Sequence, residues 1–176
     1  MDEVKAQELY DHAKAVAKSV EPPLSEDAIE LAGVAMSKQT WMVLLGEQNA
    51  PGAMFVKQGK LGIMLTEFPD ELGSKPKDAF AAMIRNLRRD CDAVAFVSEM
   101  WMAKYRDKKK ADFKSGDYVR PTDHPDRQEC CMVILYVGNR KLMFIAFIHR
   151  NPTRVDDWIL HLDSAKEDQG IEGRFA

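Results

Sequence analysis

The sequence predicts an α+β protein in which an N-terminal helical hairpin packs on a mainly antiparallel sheet. Apolar residues recur at helical spacing near the N-terminus, later apolar segments are short and rich in β-branched and aromatic residues, and Gly138-Asn139 marks a tight hairpin turn. The 176 residues fit one domain. We divide it into a helical hairpin (1–38), a sheet with one helix (39–150) and an irregular tail (151–176).

Two helices are predicted at the N-terminus. Apolar residues keep helical spacing up to Val20, and Pro22 and Pro23 end this first helix. Ser25 can cap a second helix, which we expect to end near Ser37.

A three-stranded β-meander and a helix are predicted next. Residues 40–47 (TWMVLLGE) have the composition of a strand, and residues 54–56 and 61–66 form two more strands joined at Gln58-Gly59. A third helix then begins near Ser74.

This third helix ends at Arg89, and it carries three arginines near its end: Arg85, Arg88 and Arg89. Cations suit the C-terminal end of a helix dipole, which explains most of their presence. Contact with nucleic acid is the less favoured interpretation.

Residues 93–105 (AVAFVSEMWMAKY) predict a strand that is covered on both faces, because both of its alternating sets over residues 94–103 are apolar. Glu99 interrupts one set, so its carboxylate must reach solvent, pair with a cation or have a raised pKa. An ion pair with Arg120 or Arg127 is favoured, and a ligand-binding or general-acid role stays open.

The connection between this strand and the next is too long for an ordinary loop. Its first part, including the basic residues 104–114, is highly charged, whereas residues 119–127 (VRPTDHPDR) predict a fixed polar loop because two prolines restrict it. The hairpin that follows puts Val137 opposite Arg140, and the same register places Gln128 opposite His149 at its open end.

Polar and aromatic side chains should therefore gather at that open end. The candidate acid–base residues are Glu99, His124, Asp126, Glu129 and His149, and the candidate ligand-binding residues are Trp101, Tyr105, Arg120 and Arg127. The same mixture also suits an ion-pair network that only anchors the long loop.

Composition limits the function classes. With 45% hydrophobic and 30% charged residues and a net charge of −3, the chain is typical of a water-soluble protein with no general attraction to nucleic acid or membranes. Three cysteines without metal-binding spacing predict a cytoplasmic protein with no metal, and the absence of a glycine-rich phosphate motif argues against a nucleotide cofactor. The adjacent Cys130 and Cys131 are predicted to be small core residues.

Charge is unevenly distributed along the chain. Residues 1–30 contain three Lys and eight acidic residues, a balance of −5, whereas residues 104–120 contain seven Lys or Arg and three Asp, a balance of +4. Such a separation suits a solvated face, head-to-tail self-association or an acidic partner.

The pattern AVAFVSEMWM, followed by HPDRQE and a hairpin, resembles small uncharacterised prokaryotic or phage-type proteins over residues 93–150. This resemblance implies no activity, cofactor or catalytic residue.

We therefore expect a non-enzymatic interaction or regulatory protein that binds itself or another protein. The alternatives are an enzyme that acts on a small polar or phosphorylated substrate through Glu99 and His124, and a protein that binds nucleic acid through residues 104–114.

Overall fold

The protein was analysed as a computed structural model that describes residues 3–47, 51–65, 76–103 and 116–165. A short 3-10 helix, Pro121–Asp123, precedes the fourth strand. The longer elements, in chain order, are α1 (Glu3–Lys18), α2 (Glu26–Leu44), β1 (Gly52–Lys57), β2 (Lys60–Leu65), α3 (Pro76–Asp90), β3 (Ala93–Ala103), β4 (Arg127–Val137), β5 (Arg140–Arg150), β6 (Thr153–Val155) and β7 (Ile159–Asp163).

The strands form one antiparallel sheet. Their order is β2-β1-β3-β4-β5-β6, and β7 pairs with β5 on the same side as β6. Together with the two N-terminal helices, this sheet confirms the predicted α+β class.

Helices α1 and α2 cover one face of the sheet. Ser25 caps α2 as predicted, because its Oγ accepts a hydrogen bond from the backbone N–H of Ala28 at 3.3 Å. Leu31 and Met36 are fully buried in the larger of two cores, and burying such a side chain contributes roughly 1.5–3 kcal/mol. None of the described helices is long and apolar enough to cross a membrane.

The second helix is longer than predicted. It continues to Leu44, so the strand predicted at residues 40–47 is wrong, and β1 and β2 form a two-stranded hairpin instead of part of a three-stranded meander. The buried Thr40 hydroxyl donates to the carbonyl of Met36 at 3.1 Å and accepts from Trp158 Nε1 at 2.9 Å. Burial of the last turn of α2 therefore outweighs the intrinsic strand propensity of its residues.

Helix α3 covers part of the opposite face, where it forms the smaller core. The ring centroids of Phe80 and Phe96 lie 5.2 Å apart, and Ile84 and Tyr136 are buried beside them. The first five residues of β3 are buried on both faces, as predicted, whereas residues 98–103 are only half-buried or exposed. The prediction of cover on both faces is therefore wrong for the second half of the strand.

The β4–β5 hairpin has the predicted register, from Val137 opposite Arg140 to Cys131 opposite Ala146. Gly138 has a φ of +54° and is the only residue of its turn at positive φ, as a type II′ turn requires.

The tail that was predicted to be irregular instead contributes two strands. The second of these strands, β7, begins one residue after Trp158. Trp158 is buried in the larger core, and the buried Asp163 carboxylate lies 2.6 Å from Arg140 Nη2. The buried Trp158 and this ion pair hold the segment on the sheet.

Candidate functional site

The register between β3 and β4 brings two predicted carboxylates to the same face of the sheet. Glu99 lies opposite Cys131, and Trp101 lies opposite Glu129. Since side chains alternate along a strand, Glu99, Trp101 and Glu129 share the face that α1 and α2 cover further along.

Arg150, at the end of β5, bridges both carboxylates. Its Nε and Nη2 donate to the two oxygens of Glu129 at 2.9 and 2.6 Å, and Nη2 also donates to Glu99 Oε2 at 3.2 Å. The hydrogen bonds from Arg150 hold the pKa of Glu129 below its ordinary value, and the same bonds raise the pKa of Arg150. Both groups therefore stay charged near neutral pH, which favours a structural ion-pair network over an acid–base pair.

The sequence predicted an arginine partner for Glu99 but favoured Arg120 or Arg127, and this choice is corrected to Arg150. The alternation of side chains along β5 could have identified Arg150 as a candidate partner. It comes two residues after Ile148, which faces the larger core, so both side chains lie on the same face.

Arg127 lies on Trp101, so these two predicted ligand-binding residues contact each other. The guanidinium carbon is 5.2 Å from the centroid of the Trp101 ring, within the range of a cation–π interaction. Arg127 Nη1 also donates to the carbonyl of Thr122, which ties the polar loop to the start of β4. Arg120 is exposed just before the 3-10 helix.

The two predicted histidines have partners of their own. His124 is buried, and its Nδ1 accepts a hydrogen bond from the backbone N–H of Asp126 at 3.1 Å. His149 Nε2 lies 3.0 Å from Asp156 Oδ2, and alternation puts His149 on the face opposite to Arg150. The predicted single neighbourhood is therefore divided between two faces of the sheet.

Two predictions lie outside the described residues. Tyr105, a candidate ligand-binding residue, belongs to residues 104–115, and so do the basic residues of the nucleic-acid alternative.

A cavity opens on the other face of the same strand ends. Its volume is about 580 Å³ and its walls are mostly apolar, with polar groups from three side chains; the lining residues are Met102, Ala103, Asp126, Gln128, Ile145, Phe147, Ile159 and His161. This volume falls in the range of small-molecule sites. Asp126 belongs to this cavity, so it faces a different space from the Arg150 network.

The outer edge of β2 is the most exposed apolar part of the sheet. No strand of the described chain pairs with this edge, and the side chains of Leu61 and Ile63 are 49% and 53% exposed. They lie opposite Val56 and Met54, so both are on the helical-hairpin face but beyond the cover of the helices. The sequence predicted the strand, but this exposure depends on where α2 packs.

Cys130 and Cys131 are buried core residues, as predicted, whereas Cys91 is half-buried. All three thiols are free, and burial raises the pKa of Cys130 and of Cys131 to about 12. Neither thiol is ionised at neutral pH. Among the residues that the structure describes, no three His, Cys, Asp or Glu side chains converge as metal ligands would.

Comparisons with known proteins leave the assignment of function to the geometry. No protein-family model matches the chain, and neither a curated protein nor a solved structure matches it. The resemblance of residues 93–150 to phage-type proteins stays a prediction.

Proposed function

We propose that this protein is a non-enzymatic interaction or regulatory protein of the cytoplasm that forms homo-oligomers through the outer edge of β2. The observation that carries the proposal is an outer strand that has no second partner strand among the described residues and that exposes two apolar side chains, Leu61 and Ile63. Such an edge is a template for pairing with another strand, and proteins usually protect it.

The β2 edge is suited to pairing with a copy of itself. In an antiparallel pairing with Gly62 on the two-fold axis, Leu61 of each copy lies opposite Ile63 of the other. Both apolar side chains of one copy would then be covered by those of the second copy.

On the opposite face of the sheet, the Phe55 ring covers β2 at Gly62. Gly62 lies opposite Phe55, and a Cβ atom at Gly62 would come within 2.3 Å of the Phe55 ring. The ring therefore occupies the space above Gly62, and β2 carries no side chain of its own at the residue placed on the two-fold axis.

The association should be reversible. A six-residue strand buries less than the roughly 800 Å² per partner of a standard interface. We expect a Kd on the order of 10 μM. Because the contacts are apolar, the affinity should change little with salt, unlike head-to-tail association of oppositely charged ends.

Sedimentation velocity over concentrations from about 1 to about 500 μM, bracketing this Kd, tests the proposal. The unmodified chain should shift from monomer to dimer, and Ile63→Lys should stay monomeric because its ammonium group would be buried at the pairing edge. Val4→Lys, at an apolar residue of α1 that is 64% exposed, is the matched control and should dimerise as before.

A chain that is monomeric throughout this range would refute self-association. A dimer that survives Ile63→Lys but dissociates in high salt would refute the β2 edge in favour of charge-driven association.

The enzyme and nucleic-acid alternatives have less support. Glu99 accepts a hydrogen bond from Arg150, and the buried His124 accepts one from the backbone N–H of Asp126 at Nδ1, so both side chains are engaged in contacts within the protein. The basic loop of the nucleic-acid alternative lies outside the described residues.

Binding of a small molecule is the second candidate function, in the cavity of about 580 Å³ that Asp126 and His161 help to line. The favouring observation is a volume of about 580 Å³ with an apolar wall and the Asp126 carboxylate at its margin. Such a site suits an apolar body with a basic group. Aromatic amines should shift the NMR methyl signals of Ile145 and Ile159, and Asp126→Asn should abolish the shifts; equal shifts from aromatic carboxylates would contradict this specificity.

A further inference from the structure

The last two turns of α3 present three arginines on one side of the helix. Arg85, Arg88 and Arg89 are spaced i, i+3 and i+4, which places them next to one another. The helix dipole favours cations only in the last turn, which contains Arg88 and Arg89, so it does not account for Arg85.

The β4–β5 hairpin brings a fourth cation to this place. Lys141 lies opposite Tyr136 across the hairpin, and its Nζ is 5.9 Å from the centroid of the Tyr136 ring. The Arg88 guanidinium carbon lies 4.4 Å from the same centroid. The Tyr136 ring therefore lies between Arg88 of the helix and Lys141 of the sheet.

The charges of the three arginines are poorly compensated. Among the residues that the structure describes, no carboxylate forms an ion pair with Arg85, Arg88 or Arg89. Lys141 is only 7% exposed, and its pKa is lowered to about 8, first by burial and then by the charge of Arg88. Neighbouring like charges in this arrangement repel one another, and a bound anion would relieve the repulsion.

The arginines also form the wall of a depression. It has a volume of about 280 Å³ and is lined by Arg85, Arg88, Arg89, Gly138 and Asn139. The Asn139 side-chain amide adds neutral hydrogen-bond donors at the hairpin turn.

We propose that this depression between the end of α3 and the β4–β5 turn binds a small ligand through a phosphate group. Guanidinium groups match the geometry of phosphate oxygens and can donate paired hydrogen bonds to them. The three arginines line one small depression instead of forming an extended track, which favours a compact phosphate ligand over a nucleic-acid strand.

Pyrophosphate and inorganic phosphate are the probes, titrated into the full chain by calorimetry in a phosphate-free buffer. Pyrophosphate should bind with a Kd below about 1 mM, and the double variant Arg85→Gln/Arg89→Gln should weaken binding at least about tenfold. Both arginines are exposed, so this variant should fold normally. Arg154→Gln, at an exposed arginine on β6, is the control and should bind as the unmodified chain does.

Thermal unfolding gives a second, independent measurement. Pyrophosphate should raise the Tm of the unmodified chain more than sodium chloride at equal ionic strength, and this difference should disappear in the double variant.

The proposal is overturned if pyrophosphate does not bind at about 1 mM, or if the double variant binds it as tightly as the unmodified chain. A single-stranded oligonucleotide that binds more tightly than pyrophosphate, with an affinity that falls steeply with salt, would overturn it in favour of nucleic acid.

Discussion

Strand β5, near one edge of the sheet, is covered by β6 and β7, whereas β2, at the other edge, pairs only with β1 among the described residues. The covered edge is held by specific contacts. Arg140 donates to both carboxylate oxygens of Asp163 and to the carbonyls of Glu21 and Pro22, so one side chain joins β7, β5 and the connection between α1 and α2.

The backbone reinforces this cover. Lys141 N–H donates to Ser164 Oγ at 2.8 Å, and Ser164 N–H donates to the Lys141 carbonyl at 2.9 Å. Trp158, between β6 and β7, anchors the segment by donating to Thr40 on α2. No comparable contact closes the outer edge of β2 among the described residues.

This difference separates the contacts that stabilise the monomer from the edge through which we propose that a second copy binds. At the covered edge, charged and polar groups already have partners, so substitutions there should change folding stability. At the open edge the apolar side chains face solvent, so substitutions there should change association and leave folding almost intact.

The largest expected effect comes from opening the covered edge. Arg140→Met leaves the Asp163 carboxylate, 1% exposed, without its guanidinium partner, and breaking such a buried pair costs about 3–5 kcal/mol. Urea denaturation should show this loss. The double variant Arg140→Met/Asp163→Asn should recover part of it, and equal losses in the single and double variants would contradict the ion-pair account.

Lys141→Met should stabilise the protein by about 1–3 kcal/mol at neutral pH, because it removes a buried charge whose pKa is lowered from 10.5 to about 8. Below pH 8 the Lys141 ammonium group is charged in the folded protein, and the full free-energy cost of burying this charge lowers the stability. As pH rises from about 8 to 10.5, the folded state loses this proton before the unfolded state does, so the unmodified chain gains stability and approaches the variant. A stability difference that does not vary with pH would contradict this explanation.

Gly62→Ala should destabilise the chain by about 1 kcal/mol, because its Cβ atom displaces the Phe55 ring. The half-buried ring can move aside, so the effect should stay small. The double variant with Phe55→Ala should show no further cost from the alanine at position 62, since the contact is then absent; an added cost would point to the backbone instead.

The smallest effect on folding should come from the open edge. Ile63→Lys should change the free energy of unfolding by less than about 0.5 kcal/mol when measured at concentrations where the chain is monomeric. A much larger loss would mean that Ile63 packs within the monomer, and the contrast between the two edges would fail.

Local sequence signals predicted those parts of the fold that depend on neighbouring residues. Gly138-Asn139 fixed the register of β4 and β5, and Ser25 marked the start of α2. The strand predicted at residues 40–47 was wrong because the strand propensity of Thr40 favours a different element from the one that forms. Thr40 belongs to α2, and the contact that favours the helix is its burial against Trp158, which is distant in sequence.

The candidate sites depended more on contacts between distant residues. Alternation along β3 and β4 was enough to bring Glu99 and Glu129 to one face, but their partner Arg150 is contributed by β5. The association of Arg88 with Lys141 could not be predicted at all, because it requires knowing how α3 packs on the sheet.

Amide hydrogen exchange of β2, measured by NMR at low and at high protein concentration, tests the central claim most directly. Amides of β2 that point away from β1 should exchange more slowly at high concentration, because they then donate to the strand of a second copy. The same amides in Ile63→Lys should exchange at one rate throughout. Exchange rates of β2 that do not depend on concentration, while the unmodified chain dimerises, would show that the chain associates through another surface.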